Sequence, residues 1–217
     1  MSLATSKPPY LVIIAGPNGA GKSTFSQALL STHYGIPYAF DWDKLFYQRW
    51  SAYGSDPAVK EGVRNSVNET FQTQLEESFS NKISFAYETN FQDQFNIDVI
   101  VQANQLGFET RVLFLMLDSP EIAIERVDQR VKEGGHFVEE DTIRFRFEKG
   151  LTLLDNYFDL PGKIRLFDTS TNWLSSNEPN KSVAVIEHGA VTFLDNLRII
   201  SNLRNSLPRL YQAAIKF

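Results

Sequence analysis

The chain has 217 residues, with 21 Lys and Arg against 26 Asp and Glu, so its formal net charge is −5. With 42% hydrophobic and 22% charged residues, this length is typical of a soluble globular domain with one substantial core. Because cysteine is absent, the sequence excludes a disulfide scaffold, cysteine-ligated metal sites and a thiol nucleophile. The mild acidity also argues against non-specific nucleic-acid binding, which requires a basic surface.

The sequence lacks the patterns typical of a membrane-spanning helix and of a signal peptide. No run of 18 apolar residues indicates a transmembrane helix. The first residues lack a basic segment followed by an apolar one, so we predict no signal peptide. We therefore expect a cytoplasmic protein that does not act on membranes.

Apolar runs alternate with helical patterns along most of the chain. Residues 10–15 (YLVIIA) form a continuous apolar run before a glycine-rich turn, as in a strand buried on both faces of a parallel sheet. Further strands are predicted at 38–40, 83–87, 111–117 and 164–167, and helices at 23–30, 59–79, 97–106, 119–133 and 140–156. This alternation predicts an α/β protein whose mostly parallel five-stranded sheet is flanked by helices in three layers.

The last quarter of the chain has a different pattern. A polar loop over residues 170–182 precedes two short apolar runs, 183–186 and 190–193, which predict a β-hairpin. The tail from Leu194 is predicted to be helical, with a break at Pro208. Since no linker separates two cores, we predict one domain over residues 1–217, with a helical lid at about 119–150 and a C-terminal hairpin and helices at about 183–217.

The turn after the first strand matches the phosphate-loop pattern G-x-x-x-x-G-K-[ST] over its full length. Glycines let backbone N–H groups point at phosphate oxygens, and the following helix directs its positive end to the same anion. Lys22 would reach the β- and γ-phosphates of ATP, and Ser23 would ligate Mg²⁺. The predicted nucleotide-binding residues of the loop are Gly16, Asn18, Gly19, Ala20, Gly21, Lys22, Ser23 and Thr24.

This loop alone indicates an NTPase or a kinase. It is also similar to the loop of ABC-transporter ATPases, but the chain lacks the SGGQ-type segment that those proteins require. Asp118, after the fourth predicted strand, is a candidate for holding a magnesium-bound water or, alternatively, for capping the helix that starts at Ser119.

Acidic residues follow two predicted strands, where an open α/β sheet binds its ligands. Asp41 and Asp43 lie two residues apart, so an extended chain places both on one side. One of them can accept the proton of a substrate hydroxyl during phosphoryl transfer; alternatively, both cap the helix that follows. Glu88 either holds a substrate or magnesium-bound water, or is an ordinary loop acid.

Arg126 and Arg130 lie four residues apart and share one helix face. The glycine pair Gly134-Gly135 follows, as in a lid that closes over a triphosphate and brings arginines to the phosphates. The alternative is a solvated face with surface salt bridges. His136 has no partner at metal-ligand spacing, so we predict no zinc site.

Together, the phosphate loop, Asp41-Trp42-Asp43, Glu88-Thr89-Asn90 and the segment 126–138 (RVDQRVKEGGHFV) resemble the zeta-toxin-like P-loop kinases. The resemblance covers about residues 10–170. Members of that family use ATP and Mg²⁺ to phosphorylate a sugar hydroxyl of UDP-N-acetylglucosamine. The resemblance implies the same cofactors and, as a partner, an antitoxin protein that no pattern in this chain itself indicates.

The resemblance also implies roles for individual residues. Lys22, Asp43 and Arg126 would be catalytic, with Asp43 as the base and Arg126 on the phosphates from the lid. Arg130 is a further predicted nucleotide contact. With the strand-end acids included, the predicted substrate-binding residues are Asp41, Glu69, Glu88, Asn90 and His136.

We therefore predict an ATP- and Mg²⁺-dependent small-molecule kinase, with UDP-N-acetylglucosamine as the first candidate acceptor. One alternative is a partner-dependent ATPase or nucleotide switch without its own acceptor. Another is a non-catalytic domain with a degenerate loop, which the intact Lys22-Ser23 pair argues against.

Overall fold

The computed structural model describes residues 7–170, 182–195 and 204–216. Their core is a six-stranded sheet with the order β2-β1-β3-β4-β5-β6. The strands are β1 (Tyr10–Ala15), β2 (Phe85–Thr89), β3 (Glu109–Met116), β4 (Lys163–Asp168), β5 (Ala184–Glu187) and β6 (Ala190–Leu194). Strands β1 to β4 are mutually parallel, whereas β5 runs antiparallel to β4 and β6 antiparallel to β5. The predicted α/β class is therefore confirmed, and the predicted count of five strands is wrong.

Two differences explain the strand count. Residues 38–40 form no strand, because Phe40 makes only an isolated bridge to Tyr87 before the chain enters a helix at Trp42. The predicted hairpin does form, and it extends the sheet because β5 pairs with β4 through residues such as Ile186, opposite Ile164. A hairpin that pairs with an existing edge strand satisfies backbone groups that would otherwise stay unpaired.

Helices connect the parallel strands and flank the sheet. They are α1 (Lys22–Tyr34), α2 (Trp42–Ala52), α3 (Lys60–Asn81), α4 (Gln94–Gln105), α5 (Pro120–Lys132), α6 (Glu140–Tyr157) and α7 (Pro208–Ala214). Leu194, where the sequence predicts the start of a helical tail, belongs to β6 instead. Residues 196–203 of that predicted tail lie outside the described part of the chain, as do residues 171–181 of the predicted loop. None of the helices described is both long and apolar enough to cross a membrane.

The core lies around the two central strands. Leu11 to Ala15 of β1 are 0% exposed, which means that both faces of the strand are covered. The apolar row of α3, which the sequence predicts at a spacing of four residues, is buried: Val63, Val67, Phe71, Leu75 and Phe79. Within this row, Phe71 packs against Phe85 and Tyr87 of β2. Because β1 is fixed between β2 and β3, the loop that leaves its carboxyl end starts from a rigid position.

Candidate active site

The phosphate loop runs from the end of β1 to the start of α1, and its glycines meet geometric requirements. A Cβ at Gly16 would lie 2.4 Å from the carbonyl oxygen of Leu115, and Gly16 has φ +142°. Gly19 and Gly21 also have positive φ, at +75° and +86°. Since other residues rarely adopt this region, the glycines let the chain wrap closely over the ends of β1 and β3.

Lys22 folds back over this loop. Its Nζ donates to the carbonyl oxygens of Gly16 at 2.7 Å and Pro17 at 2.9 Å, and to Asn90 Oδ1 at 3.0 Å. Burial lowers the pKa of Lys22 to about 8, although nearby carboxylates, Glu88 first, oppose the shift. An anion entering the loop would therefore give this ammonium a charged partner in place of neutral ones.

A cluster of oxygen atoms lies beside the lysine, at the start of α1. Ser23 Oγ is 2.8 Å from Glu88 Oε2 and 3.1 Å from Asp41 Oδ2, and Ser26 Oγ donates to Glu88 Oε1 at 2.8 Å. Burial, and then the charge of Asp41, raises the pKa of Glu88. Mg²⁺ prefers oxygen ligands and usually takes only one or two from protein beside phosphates and water, so this donor set fits magnesium.

The two aspartates before and within α2 have different environments. Asp41 is the N-cap of α2, and its Oδ1 accepts from the backbone N–H of Lys44 at 3.0 Å. Asp43 lies in the first turn of that helix, lines the cleft, and has its Oδ2 4.0 Å from His136 Nε2. The capping alternative thus holds for Asp41, while Asp43 is free of that role.

The loop after α5 packs against α2 through the side chain of His136. Arg130 Nη2 donates to the carbonyl oxygen of His136 at 3.0 Å. The His136 ring stacks on Tyr47 with ring centroids 4.2 Å apart and planes inclined by 16°. Gly135 allows this fold, because a Cβ there would lie 2.5 Å from Arg130 Cγ.

Arg126 lies where α5 meets the phosphate loop. Its Nη2 donates to the carbonyl oxygens of Thr169 at 2.7 Å and Ser170 at 2.9 Å, and its Nη1 to that of Gly19 at 3.3 Å. Arg126 lines the cleft, but its guanidinium also links α5 to the phosphate loop and to the residues after β4. The sequence predicted a phosphate contact and did not predict these backbone partners.

Arg146 is a cleft residue that the sequence analysis did not identify. It extends from α6 toward the phosphate loop, where its Nη1 donates to Asn18 Oδ1 at 3.4 Å. It comes three residues after buried Ile143 and directly before buried Phe147. An arginine at the border of a buried helix face could have been found by this spacing, since such a side chain needs a polar partner.

These groups surround a single cleft of about 1490 Å³. It brings together most of the predicted site residues: Asn18, Gly19, Gly21, Lys22, Ser23, Thr24, Asp41, Asp43, Glu88, Asn90, Arg126, Arg130 and His136. Gly16, buried Ala20 and exposed Glu69 are not among its lining residues. On α3, Asn68 and Gln72 line the cleft instead of Glu69.

The end of the cleft away from the phosphate loop is rich in aromatic rings. Its wall includes Trp42, Tyr47, Trp50, Phe71, Tyr87 and Phe95. Trp42 stacks on Phe46 with ring centroids 5.1 Å apart, and its indole N–H donates to Asn68 Oδ1 at 2.8 Å. Flat apolar faces with polar groups between them suit a ligand that has both ring surfaces and hydrogen-bonding groups.

Comparisons with known proteins agree on the fold. A chain of the PezAT chromosomal toxin–antitoxin system of Streptococcus pneumoniae superimposes with a TM-score of 0.58 at 13% identity, covering 77% of this chain and 71% of that one. The AvrRxo1-ORF1:ORF2 structure with ATP gives a TM-score of 0.58 at 15% identity, covering 96% of this chain and 76% of that one.

The sequence comparisons are more specific. An uncharacterised protein of Haemophilus influenzae is 31% identical over 65 residues, which is 30% of this chain and 46% of that protein, so the match spans about half of its length. The family model described as Zeta toxin matches residues 2–170, which include every residue of the cleft. By this match the chain belongs to the Zeta toxin family.

Proposed function

We propose that this protein is an ATP- and Mg²⁺-dependent kinase that transfers the γ-phosphoryl group to a hydroxyl of a small molecule, with UDP-N-acetylglucosamine as the first candidate acceptor. The observation that carries the proposal is that Lys22 in an intact phosphate loop and Asp43 line the same cleft. A phosphate-binding loop beside a carboxylate is the arrangement that phosphoryl transfer to an alcohol requires.

At the nucleotide end, the loop N–H groups and Lys22 would bind the β- and γ-phosphates of ATP. Arg130 and Arg146 line the cleft and are the cations best placed to balance charge that develops during transfer. Arg126 would act mainly by fixing α5 against Gly19 and the end of β4.

Ser23, supported by Asp41 and Glu88, would hold magnesium through its oxygen atoms. Bound Mg²⁺ supplies neutralisation of phosphate charge and orientation of the triphosphate. Asp43 would accept the proton of the acceptor hydroxyl as that oxygen attacks the γ-phosphorus. Asn90, which contacts Lys22 at 3.0 Å, would lie between the phosphates and the acceptor.

The acceptor would occupy the aromatic end of the cleft, where Asn68 and Gln72 add hydrogen-bonding groups. The family membership supports UDP-N-acetylglucosamine as the first candidate. The similar structure from Streptococcus pneumoniae comes from a toxin–antitoxin system, so we also propose an antitoxin protein as a partner.

The test is incubation of the protein with ATP and Mg²⁺, with and without UDP-N-acetylglucosamine, followed by mass spectrometry. We expect a product heavier by one phosphoryl group with the wild type and none with Asp43→Asn, which should still bind ATP. If ATP is bound but no product forms, the acceptor is wrong, and a screen of other hydroxyl-bearing metabolites follows. ATP hydrolysis that appears only when another protein is added would instead support the partner-dependent ATPase.

A further inference from the structure

Three buried side-chain polar atoms have no hydrogen-bond partner within the described part of the chain: Gln92 Oε1, Arg130 Nε and His136 Nε2. All three residues line the cleft. Buried polar atoms in folded proteins are nearly always paired, because an unpaired one loses its bonds to water without replacement. These atoms therefore mark places where the free cleft is incomplete.

His136 Nε2, one of these atoms, lies near Asp43, the proposed base. It is 4.0 Å from Asp43 Oδ2, which is about 1 Å beyond hydrogen-bond distance. Stacking on Tyr47 restrains the ring, and the hydrogen bond from Arg130 to the backbone carbonyl of His136 restrains the loop that carries it. The unpaired nitrogen of the imidazole is thus kept near the carboxylate of Asp43.

The charge of the imidazole matters for what it can do there. Burial, and then the positive charge of Arg130, lowers the pKa of His136, while Asp43 and Asp41 oppose this shift and Arg146 adds to it. A neutral imidazole carries one N–H and can donate it to a carboxylate without cancelling the negative charge. A Lys or Arg at this position would instead form an ion pair and weaken Asp43 as a base.

We propose that His136 is a positioning residue for Asp43. When the cleft fills, the loop closes the remaining distance to α2, and His136 Nε2–H donates to Asp43 Oδ2. This leaves Oδ1 of the same carboxylate aimed at the acceptor hydroxyl. The proposal rests on the proposed function, because His136 acts only through the base.

Two substitutions separate the N–H group from the ring. His136→Phe keeps a flat ring to stack on Tyr47 but removes the donor, whereas His136→Gln restores an N–H at nearly the same reach without the ring. We expect kcat to fall about tenfold to hundredfold in His136→Phe, as for a lost hydrogen bond to a charged group, with KM for ATP unchanged within about twofold. His136→Gln should recover most of the lost kcat.

The matched control is His33→Phe, the same change on the exposed side of α1 and outside the cleft lining. It should leave kcat and thermal stability unchanged. Wild-type kcat in His136→Phe would overturn the inference. Equal losses in His136→Phe and His136→Gln would overturn it as well, since the ring shape and not the N–H would then matter.

Failure of the inference can be told from failure of the proposed function. If Asp43→Asn keeps wild-type transfer, or if the wild type phosphorylates no acceptor, the proposed base fails and the inference with it. If Asp43→Asn is inactive while His136→Phe is fully active, only the inference fails.

Discussion

The two ends of the cleft are built in different ways. The end of the cleft at the phosphate loop (the phosphate end) is one contiguous segment, residues 16–24, which joins β1, buried from Leu11 to Ala15, to the helix that follows it. The other end, where we propose that the acceptor binds (the acceptor end), is assembled from α2, α3, the residues after β2, and the loop after α5. Backbone geometry shapes the first and side chains from distant segments shape the second, so we expect phosphate binding to tolerate substitutions better than acceptor binding does.

The two ends also differ in how far their polar groups are satisfied. At the phosphate end, Lys22 and Ser23 have two or three partners each. Elsewhere in the cleft, one buried side-chain polar atom each of Gln92, Arg130 and His136 has none among the residues described. We therefore expect the region around Lys22 and Ser23 to be preformed, and a bound ligand to supply partners to the rest of the cleft.

The largest effect should come from Lys22→Ala. We expect phosphoryl transfer to fall at least about a thousandfold and the thermal stabilisation by ATP to disappear, because the buried ammonium is lost from the loop. The measurement is kcat together with the melting temperature at increasing ATP concentration. Lys132→Ala, on an exposed position of α5, is the control. If ATP still raised the melting temperature of Lys22→Ala as much as that of the wild type, the phosphate loop would not be the main nucleotide site, and the contrast between the two ends would fail.

A smaller loss is expected from Arg146→Ala, since Arg146 is one of several cations in the cleft. We expect kcat to fall about tenfold to hundredfold. Arg144→Ala, two residues earlier on α6, removes a surface pair with Glu121 and should change kcat less than twofold. Steady-state kinetics of both variants are the test, and equal effects would show that Arg146 has no special role.

A third comparison tests the acceptor end alone. Gln72→Ala should raise the KM for the acceptor about threefold to tenfold without changing the KM for ATP, because Gln72 lines the cleft. Glu69→Ala, less than one turn earlier on the exposed side of α3, should change neither. The opposite result would restore the substrate role that the family resemblance assigned to Glu69.

The smallest effect concerns stability. Glu88 has a raised pKa, so its ionised form is disfavoured in the folded state, and this penalty appears as the pH rises through the folded pKa. Glu88→Gln should therefore raise the melting temperature of the ligand-free protein by up to about 3 °C at pH 7 while impairing Mg²⁺-dependent turnover. The gain in melting temperature should vanish below pH 4.5, the ordinary pKa of a glutamate side chain, because the Glu88 carboxyl is then neutral in the folded and in the unfolded protein. A lower melting temperature at pH 7 would contradict this.

Local patterns predicted most of the elements. Apolar runs located the four parallel strands, and glycine spacing located the phosphate loop. The pattern did not resolve α2 as a full helix, because Phe46 is its only fully buried residue and no apolar stripe marks it. The sequence pattern also did not show that residues 38–40 lie beside β2 without forming a strand. Their pairing with β2 is limited to one bridge between Phe40 and Tyr87, which depends on tertiary packing.

Helix faces were harder to assign than helices. The row through Val67 and Phe71 fixed the buried side of α3, but nothing in the sequence indicated which flank faces α2. The structure places Asn68 and Gln72 on the flank toward the cleft, which leaves Glu69 outside. Arg146 was overlooked for the same reason, since its target, Asn18, is 128 residues away in the chain.

The sequence by itself determined the phosphate loop and the strand that carries it, because both depend on neighbouring residues whose backbone preferences act locally. Tertiary structure alone decided which side chains and segments lie opposite that loop across the cleft. Gly150 lets α6 come so close to the loop after β2 that a Cβ there would lie 2.7 Å from the Asn90 carbonyl oxygen. Contacts such as His136 with Tyr47 join segments 89 residues apart, so they follow from how the helices pack and not from any local pattern.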